Sequence, residues 1–466
     1  MAESYLAGGD GEFMAFVDGN GGTYLKSVDF FATMPDGVRG VVATAKINKN
    51  ATVLHVPFTV CIHGGPEGSE VGAAIAAQPT EVDPFVKTVL ATHFELSNGG
   101  NSRFAAWVRM LPTEVRLPMV GATSDETLRA LAGSAVGPVV CSGKELEMLE
   151  ESVRPMLKAI AADASGTLRV REWAGGVGSD EFCALYLRCY ALVASRSFGS
   201  PKFECPLMCP LQDQLNHSSD ERQRNVELDC TPGAFEVRAT RAIAPGEQLL
   251  FSYGDYSDAE LLAAFGFVEK MHGFGASAAT QATCRPNVLN WVPVGDVVLE
   301  ALEGHAKRHG GRAMSPASIV ARTAALEGAG LLGDMRVTAD EPLPLSLWTA
   351  AQVFFMDDAP FAAWKKQCNE IMAAHLLPPE DLGGGESATF ILQALLAVAD
   401  AAIAARAQSA DAVKREGAGG GGDDSYIWKA TLWVLGQEAV LLANMRKMAM
   451  MHITQLGGSE GMEEDA

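Results

Sequence analysis

The chain has 466 residues, too many for one ordinary hydrophobic core, so two domains are expected. Hydrophobic residues make up 48% and charged residues 20%, a balance that excludes a wholly disordered chain. Acidic side chains outnumber basic ones 57 to 36, and the net charge of −21 disfavours nucleic acid and anionic membranes and favours a basic partner.

The first pattern is Gly37–Pro57, GVRGVVATAKINKNATVLHVP. Two β-rich runs, 41–43 and 52–56, flank the polar turn Asn48-Lys49-Asn50, which predicts a small antiparallel unit. Gly40 is expected where the backbone closely approaches another group. From about 72 to 197 the periodicity turns helical. Leu146, Leu149, Val153 and Leu157 share one face, with Pro155 placed to kink or split that helix. Phe182, Tyr186, Cys189 and Val193 share another. From 207 to 268 the chain is β-rich again. Runs 226–229 and 235–238 alternate around the turn Thr231-Pro232-Gly233 and predict a hairpin. A second turn at 244–247 leads into a strand at 248–252 and a short helix at 258–265.

Beyond Glu269 the pattern is helical to about Met451, with amphipathic stretches at 387–406 and 426–448. The glycine run 417–422 reads as a flexible loop, and 452–466 as a disordered acidic tail. No apolar run is expected to reach a membrane span, because Asp400 interrupts the longest one. The nine cysteines contain no CxxC pair, so reduced core thiols are expected, and neither cysteine nor histidine spacing suggests a metal. The N-terminus looks like neither a secretory signal nor a transit peptide. The default compartment is the cytosol or nucleus, with a plastid left open.

Three stretches carry chemistry: 210–218 (PLQDQLNHS), 243–254 (IAPGEQLLFSYG) and 260–268 (ELLAAFGFV). Singly, each has an ordinary explanation. Asn216-His217 reads as an Asx turn with a core histidine. Tyr253-Gly254 reads as a strand end whose hydroxyl bonds to backbone, and Phe265 and Phe267 as core. Asp213 reads equally as a helix cap or a ligand-binding acid, and Arg196 as a surface ion pair or a ligand-binding cation.

In this order and spacing the three stretches resemble the C-terminal half of a SET domain. Val38-Arg39-Gly40 with Val56-Pro57 is similar to that family's N-terminal piece, Ser195–Phe198 to its Ser-Arg-Ala-Phe element, and Ser102–Pro112 to its inserted helical region. The branch resembled is that of the Rubisco large-subunit lysine methyltransferases. Two departures stand out: the first motif keeps only the second of its two glycines in alignment, and Phe265 stands where tyrosine is common.

The resemblance implies an α+β protein with two parts. The first, 25–268, is a β-rich SET fold with knot-like C-terminal threading and a helical insertion at about 72–197. The second, 269–451, is an all-α substrate-binding domain. It implies S-adenosylmethionine (AdoMet) as cofactor, no metal, and a monomer acting on a protein lysine. The rivals are a protein-histidine N-methyltransferase and a non-catalytic binding module on the same fold. It further implies that Arg39, Gly40, Ser195, Arg196, Asp213, Asn216 and His217 bind the cofactor together with Tyr253. Tyr253 is also the implied catalytic residue, and Phe265 and Phe267 line the substrate channel.

Overall fold

The computed structural model describes residues 10–34, 38–115, 117, 120, 131, 134–137, 143–269, 287, 289–308, 315–332, 335–368, 386–417 and 424–455. Two compact units form. The first takes residues up to 123, 139–256 and 260–269; the second takes 124–138, 257–259 and 270 onward.

The first unit is built on short strands. Thr23–Tyr24, Thr52–Pro57, Ala234–Ala239 and Val226–Cys230 make a four-stranded antiparallel sheet in that order. Ile62–His63, Phe203–Met208 and Ser197–Ser200 make a second sheet. Val28–Thr33 pairs with Arg39–Ala43, and Asn216–His217 pairs in parallel with Leu250–Phe251. The expected 226–239 hairpin is present, closed by the Thr231 N–H donating to the Ala234 carbonyl (2.9 Å). Gly246 takes a left-handed φ of +82°, which glycine adopts without steric cost, at the expected second turn.

The runs at 41–43 and 52–56 do not pair with each other. Asn50 turns with φ +66°, and each strand finds its hydrogen bonds elsewhere, the first on Val28–Thr33 and the second between two other strands. The expected strand at 248–252 shortens to Leu250–Phe251, with Gln248 forming an isolated bridge to Val42. Residue 37 of the first motif lies outside the described residues.

Helices pack around these strands. Asp10–Gly19 precedes the span 25–268 and buries Phe13 and Val17 in the same core. Asp180–Arg196 starts at Ser179, whose hydroxyl accepts the Phe182 N–H, with Asp180 and Glu181 in the first turn favoured by the helix dipole. Its buried face is the expected one, Phe182, Tyr186, Cys189 and Val193. Burying each large apolar side chain contributes about 1.5–3 kcal/mol. The face Leu149, Val153 and Leu157 is also buried. The helix is split beside Pro155: one π turn, Leu149–Val153, leads into the segment Arg154–Ala162, in whose first turn the missing N–H of Pro155 costs little.

His93, on the helix Pro84–Asn98, is held neutral. Trp173 Nε1–H donates to its Nδ1 (2.8 Å), so Nε2 carries the proton and faces the Phe182 carbonyl (3.2 Å). Burial pushes its pKa down from 6.5 to about 4. Between those values the unfolded chain binds the proton and the folded one does not. This contribution is therefore present above pH 6.5 and is lost as pH falls from about 6.5 to about 4, by about 3 kcal/mol. Urea unfolding followed by tryptophan fluorescence should show the midpoint falling across that window. A flat midpoint would contradict the neutral assignment.

The second unit is mostly helical: Gly295–Arg308, Pro316–Gly328, Leu345–Phe355, Asp358–Cys368, Glu386–Gly417 and Asp424–Gln455. It also holds an antiparallel pair, Trp291–Pro293 with Arg336–Thr338, absent from the all-helical expectation. Three-residue strands leave too short a pattern to read against the surrounding Ala and Leu. The final helix runs to Gln455; residues 418–422 of the glycine run and 456–466 of the tail lie outside the described residues.

Contrary to expectation, 389–415 is long and apolar enough to cross a membrane by length and composition alone. In this unit its Leu392, Leu395, Val398 and Ala402 are buried core, and Asp400 pairs with Arg446 (2.8 Å). At the centre, Arg406 and Glu438 form a buried ion pair. The Arg406 guanidinium also donates to the Pro293 carbonyl (3.0 Å), and Glu438 accepts the Ala135 N–H (2.9 Å).

Candidate active site

The first unit brings the candidate residues to one region from three strand ends and one helix end. Arg39 and Gly40 lie on Arg39–Ala43, and Asn216 and His217 form the strand paired with Leu250–Phe251. Ser195 and Arg196 end the helix Asp180–Arg196. Asp213 sits in the one-turn helix Gln212–Gln214, entered through Leu211 at a left-handed φ of +65°, a strained conformation for leucine.

Asn216 reaches across: its side-chain amide donates to the Arg39 carbonyl (2.7 Å). Gly40 bears out the close approach. A Cβ there would meet Gln248 Nε2 at 2.5 Å, Asn216 Nδ2 at 3.1 Å and Met34 Cγ at 3.2 Å. Arg196 and Asp213 find each other. The guanidinium donates to the Asp213 carbonyl (3.1 Å) and lies 3.8 Å from its carboxylate, so the partner of Arg196 is a buried acid and not a surface one. The Ser195 hydroxyl donates to the Ala191 carbonyl one turn back (2.8 Å).

Tyr253 is fixed at both ends. Its N–H donates to His217 Nδ1 (3.0 Å) and its hydroxyl donates to the Leu215 carbonyl (2.7 Å). The hydroxyl bond to backbone is the ordinary explanation offered above, and it also aims the oxygen. A donor to Leu215 keeps its lone pairs available as acceptors. Aromatic rings surround it, with centroids of Phe265 at 4.8 Å, Phe251 and His217 at 5.2 Å, and Phe267 at 6.3 Å. Burial pushes the His217 pKa down.

A cavity of about 820 Å³ opens beside this cluster. Ser195, Arg196, Asp213, Tyr253 and Phe265 line it; Arg39, Gly40, Asn216, His217 and Phe267 do not. Its other walls include Phe198, Phe251 and Tyr256, and the acids Glu221 and Glu227. Phe198 lies in the Ser195–Phe198 run and Tyr256 three places after Tyr253, so both carried a signal. The two acids stand in no motif, and only the folded chain brings them to this wall. Among the described residues no group of three His, Cys, Asp or Glu side chains is arranged to hold a metal.

The chain is similar to known proteins in sequence and in fold. Among curated relatives the chain is similar to N-lysine methyltransferase setd6 of Xenopus tropicalis, 32% identical over 96 residues, 18% of this chain and 20% of that protein. It is also similar to ribosomal lysine N-methyltransferase 4 of Schizosaccharomyces pombe, 38% identical over 63 residues, 14% of this chain and 13% of that protein. The chain thus spans about a fifth or less of the length of these relatives. Among solved structures it is similar to Rubisco LSMT bound to AdoMet, with a TM-score of 0.59, 17% identity, and coverage of 97% of this chain and 94% of that one. The SET domain of LSMT bound to lysine and AdoHcy gives 0.58, again at 17% identity, with the same coverage. At that identity the likeness is one of fold. Residues 38–254 match the family model for the SET domain.

Proposed function

We propose that this chain is an AdoMet-dependent protein-lysine N-methyltransferase. The observation that carries the reading is the 820 Å³ cavity, on whose wall Arg196, Asp213, Tyr253 and Phe265 meet within a SET domain. Its size lies within the roughly 300–1,000 Å³ of small-molecule sites. The buried pairing of Arg196 with Asp213 sets a cation and an anion together, which suits a ligand with a zwitterionic end. The names of the relatives, lysine methyltransferases, and of the LSMT structures, bound to AdoMet or to lysine and AdoHcy, support the same reading.

AdoMet would supply an electrophilic methyl group on a sulfonium. Arg39, Gly40, Ser195, Arg196, Asp213, Asn216 and His217 would hold it. The chain must then present a neutral amine in line with the methyl, and such positioning contributes about 7–11 kcal/mol. A lysine of ordinary pKa is almost wholly charged at neutral pH. The rings of Tyr253, Phe265 and Phe267 receive the cation on their faces and, by excluding water, favour its loss of a proton. The Tyr253 hydroxyl orients the amine. The knot-like C-terminal threading belongs to the same reading, supported by the parallel pairing of 250–251 with 216–217. Residues 269–451 would grip the protein substrate, and the net charge of −21 favours a lysine within a basic segment, at an association rate that falls with salt.

Calorimetric titration of chelator-treated protein tests the cofactor assignment. AdoMet should bind without added metal. Gly40→Ala, which forces Gln248 and Asn216 from the Arg39–Gly40 strand, should weaken that binding at least tenfold. Binding that needs zinc, or that is unaltered in Gly40→Ala, would contradict it.

A further inference from the structure

Behind Tyr253 runs a chain of hydrogen bonds that no motif announced. The Tyr253 N–H donates to His217 Nδ1 (3.0 Å), so that nitrogen bears no proton, and the neutral ring carries its proton on Nε2. Nε2 faces the Ser219 hydroxyl at 3.1 Å and donates to it. The Ser219 N–H in turn donates to the Glu269 carboxylate (2.8 Å). Arg224 clamps the same turn, donating to the carbonyls of Ser218 (2.7 Å) and Ser219 (3.1 Å).

We propose that Ser219 and Glu269 are positioning residues, which hold His217 as its Nε2–H tautomer and through it set the backbone and hydroxyl of Tyr253. The inference rests on the functional reading above for its consequence in catalysis, though not for its geometry. Two N–H groups cannot share one bond. A protonated His217 would set its own Nδ1–H against the Tyr253 N–H, and the backbone that aims the hydroxyl at Leu215 would move. The acid limb of turnover therefore follows His217.

Three charged groups act on the ring. Glu269 and Asp255 favour its protonated form, and Arg224 and burial oppose it. Glu269→Gln keeps an oxygen to accept the Ser219 N–H and removes the negative charge. It separates an electrostatic role from a packing one. Ser219→Ala removes the acceptor of Nε2–H, leaving the ring free to take the tautomer that opposes Tyr253.

The test is nitrogen NMR of His217 in the full-length protein, wild type and Glu269→Gln, paired with pH profiles of kcat. His217 should show an unprotonated Nδ1 in the neutral form, and its midpoint should move to lower pH in Glu269→Gln, with the acid limb of kcat moving alongside. Ser219→Ala should lower kcat about tenfold, the scale of one lost hydrogen bond, with KM for AdoMet within about twofold. Ser219→Thr, which restores a hydroxyl, should recover most of it. An Nδ1–H tautomer, a midpoint unmoved in Glu269→Gln, or an acid limb that ignores the NMR midpoint overturns the relay. So does a Ser219→Ala enzyme with wild-type kcat. Should the protein transfer no methyl group, the functional reading fails, and the tautomer and midpoint still decide the relay.

Discussion

Replacing Tyr253 by phenylalanine is expected to lower kcat about 10²–10³-fold while AdoMet affinity stays within about threefold. The substitution removes one atom. The ring keeps its packing against Phe251, Phe265 and His217, and the backbone N–H keeps its bond to His217 Nδ1. What goes is a hydroxyl held at 2.7 Å from the Leu215 carbonyl. Leaving that carbonyl without its donor costs about 1 kcal/mol of stability, too little to unfold the unit. A positioned polar group that acts on the reacting atoms costs far more in rate, on the order of 10²–10³ for one such donor elsewhere in enzymology. The loss should fall on kcat, because the hydroxyl works where the amine and methyl meet. Unchanged turnover at saturating substrate would return the hydroxyl to its backbone bond as its whole role.

Arg406→Ala should be the most destabilising single change in the second unit, by about 3–5 kcal/mol. Arg406 and Glu438 are both buried, their side chains 4% and 2% exposed, so removing one leaves an unmatched charge with no water to reach it. Burial already pushes the Glu438 carboxyl up to about 7 against the pull of Arg406. Without the guanidinium it rises further. A folded-state pKa above the unfolded value means stability present at low pH and lost as pH rises through the folded pKa. The variant should therefore be penalised more at pH 8 than at pH 6. Joint replacement, Arg406→Met with Glu438→Leu, should recover all but about 1–2 kcal/mol, because the Ala135 N–H still loses its acceptor. Scanning calorimetry at two pH values reads both. A loss below about 1 kcal/mol for Arg406→Ala would mean the pair is open to water.

Elements whose signal is local were legible in the sequence. The 226–239 hairpin, the turn at Gly246 and the helix Asp258–Phe265 follow from alternation, turn residues and period, all within a few positions. The partners of the strands outside that hairpin were not. Residues 41–43 and 52–56 look like a hairpin because they are adjacent, yet pairing is decided by which distant backbone groups need hydrogen bonds. The helix Asp10–Gly19 escaped for another reason: five of its ten residues are Asp, Glu or Gly, and only Phe13 and Val17 mark its buried side. At the site, Asn216, His217 and Tyr253 stood out as ordered motifs. The bonds among them, and the reach of Ser219 and Glu269 into that network, span up to 50 residues and leave no periodic trace. Half of the expected cofactor residues line the cavity, and the other half do not.

The proposed reaction is transfer of a methyl group from AdoMet to a protein lysine. Incubation of the purified chain with isotope-labelled AdoMet and a cell lysate, followed by mass spectrometry of the labelled peptides, tests it most directly. Label should appear on a lysine side chain with the wild type and fall to background with Tyr253→Phe. Label on another residue type, equal labelling by Tyr253→Phe, or no transfer by protein that demonstrably binds AdoMet would contradict it.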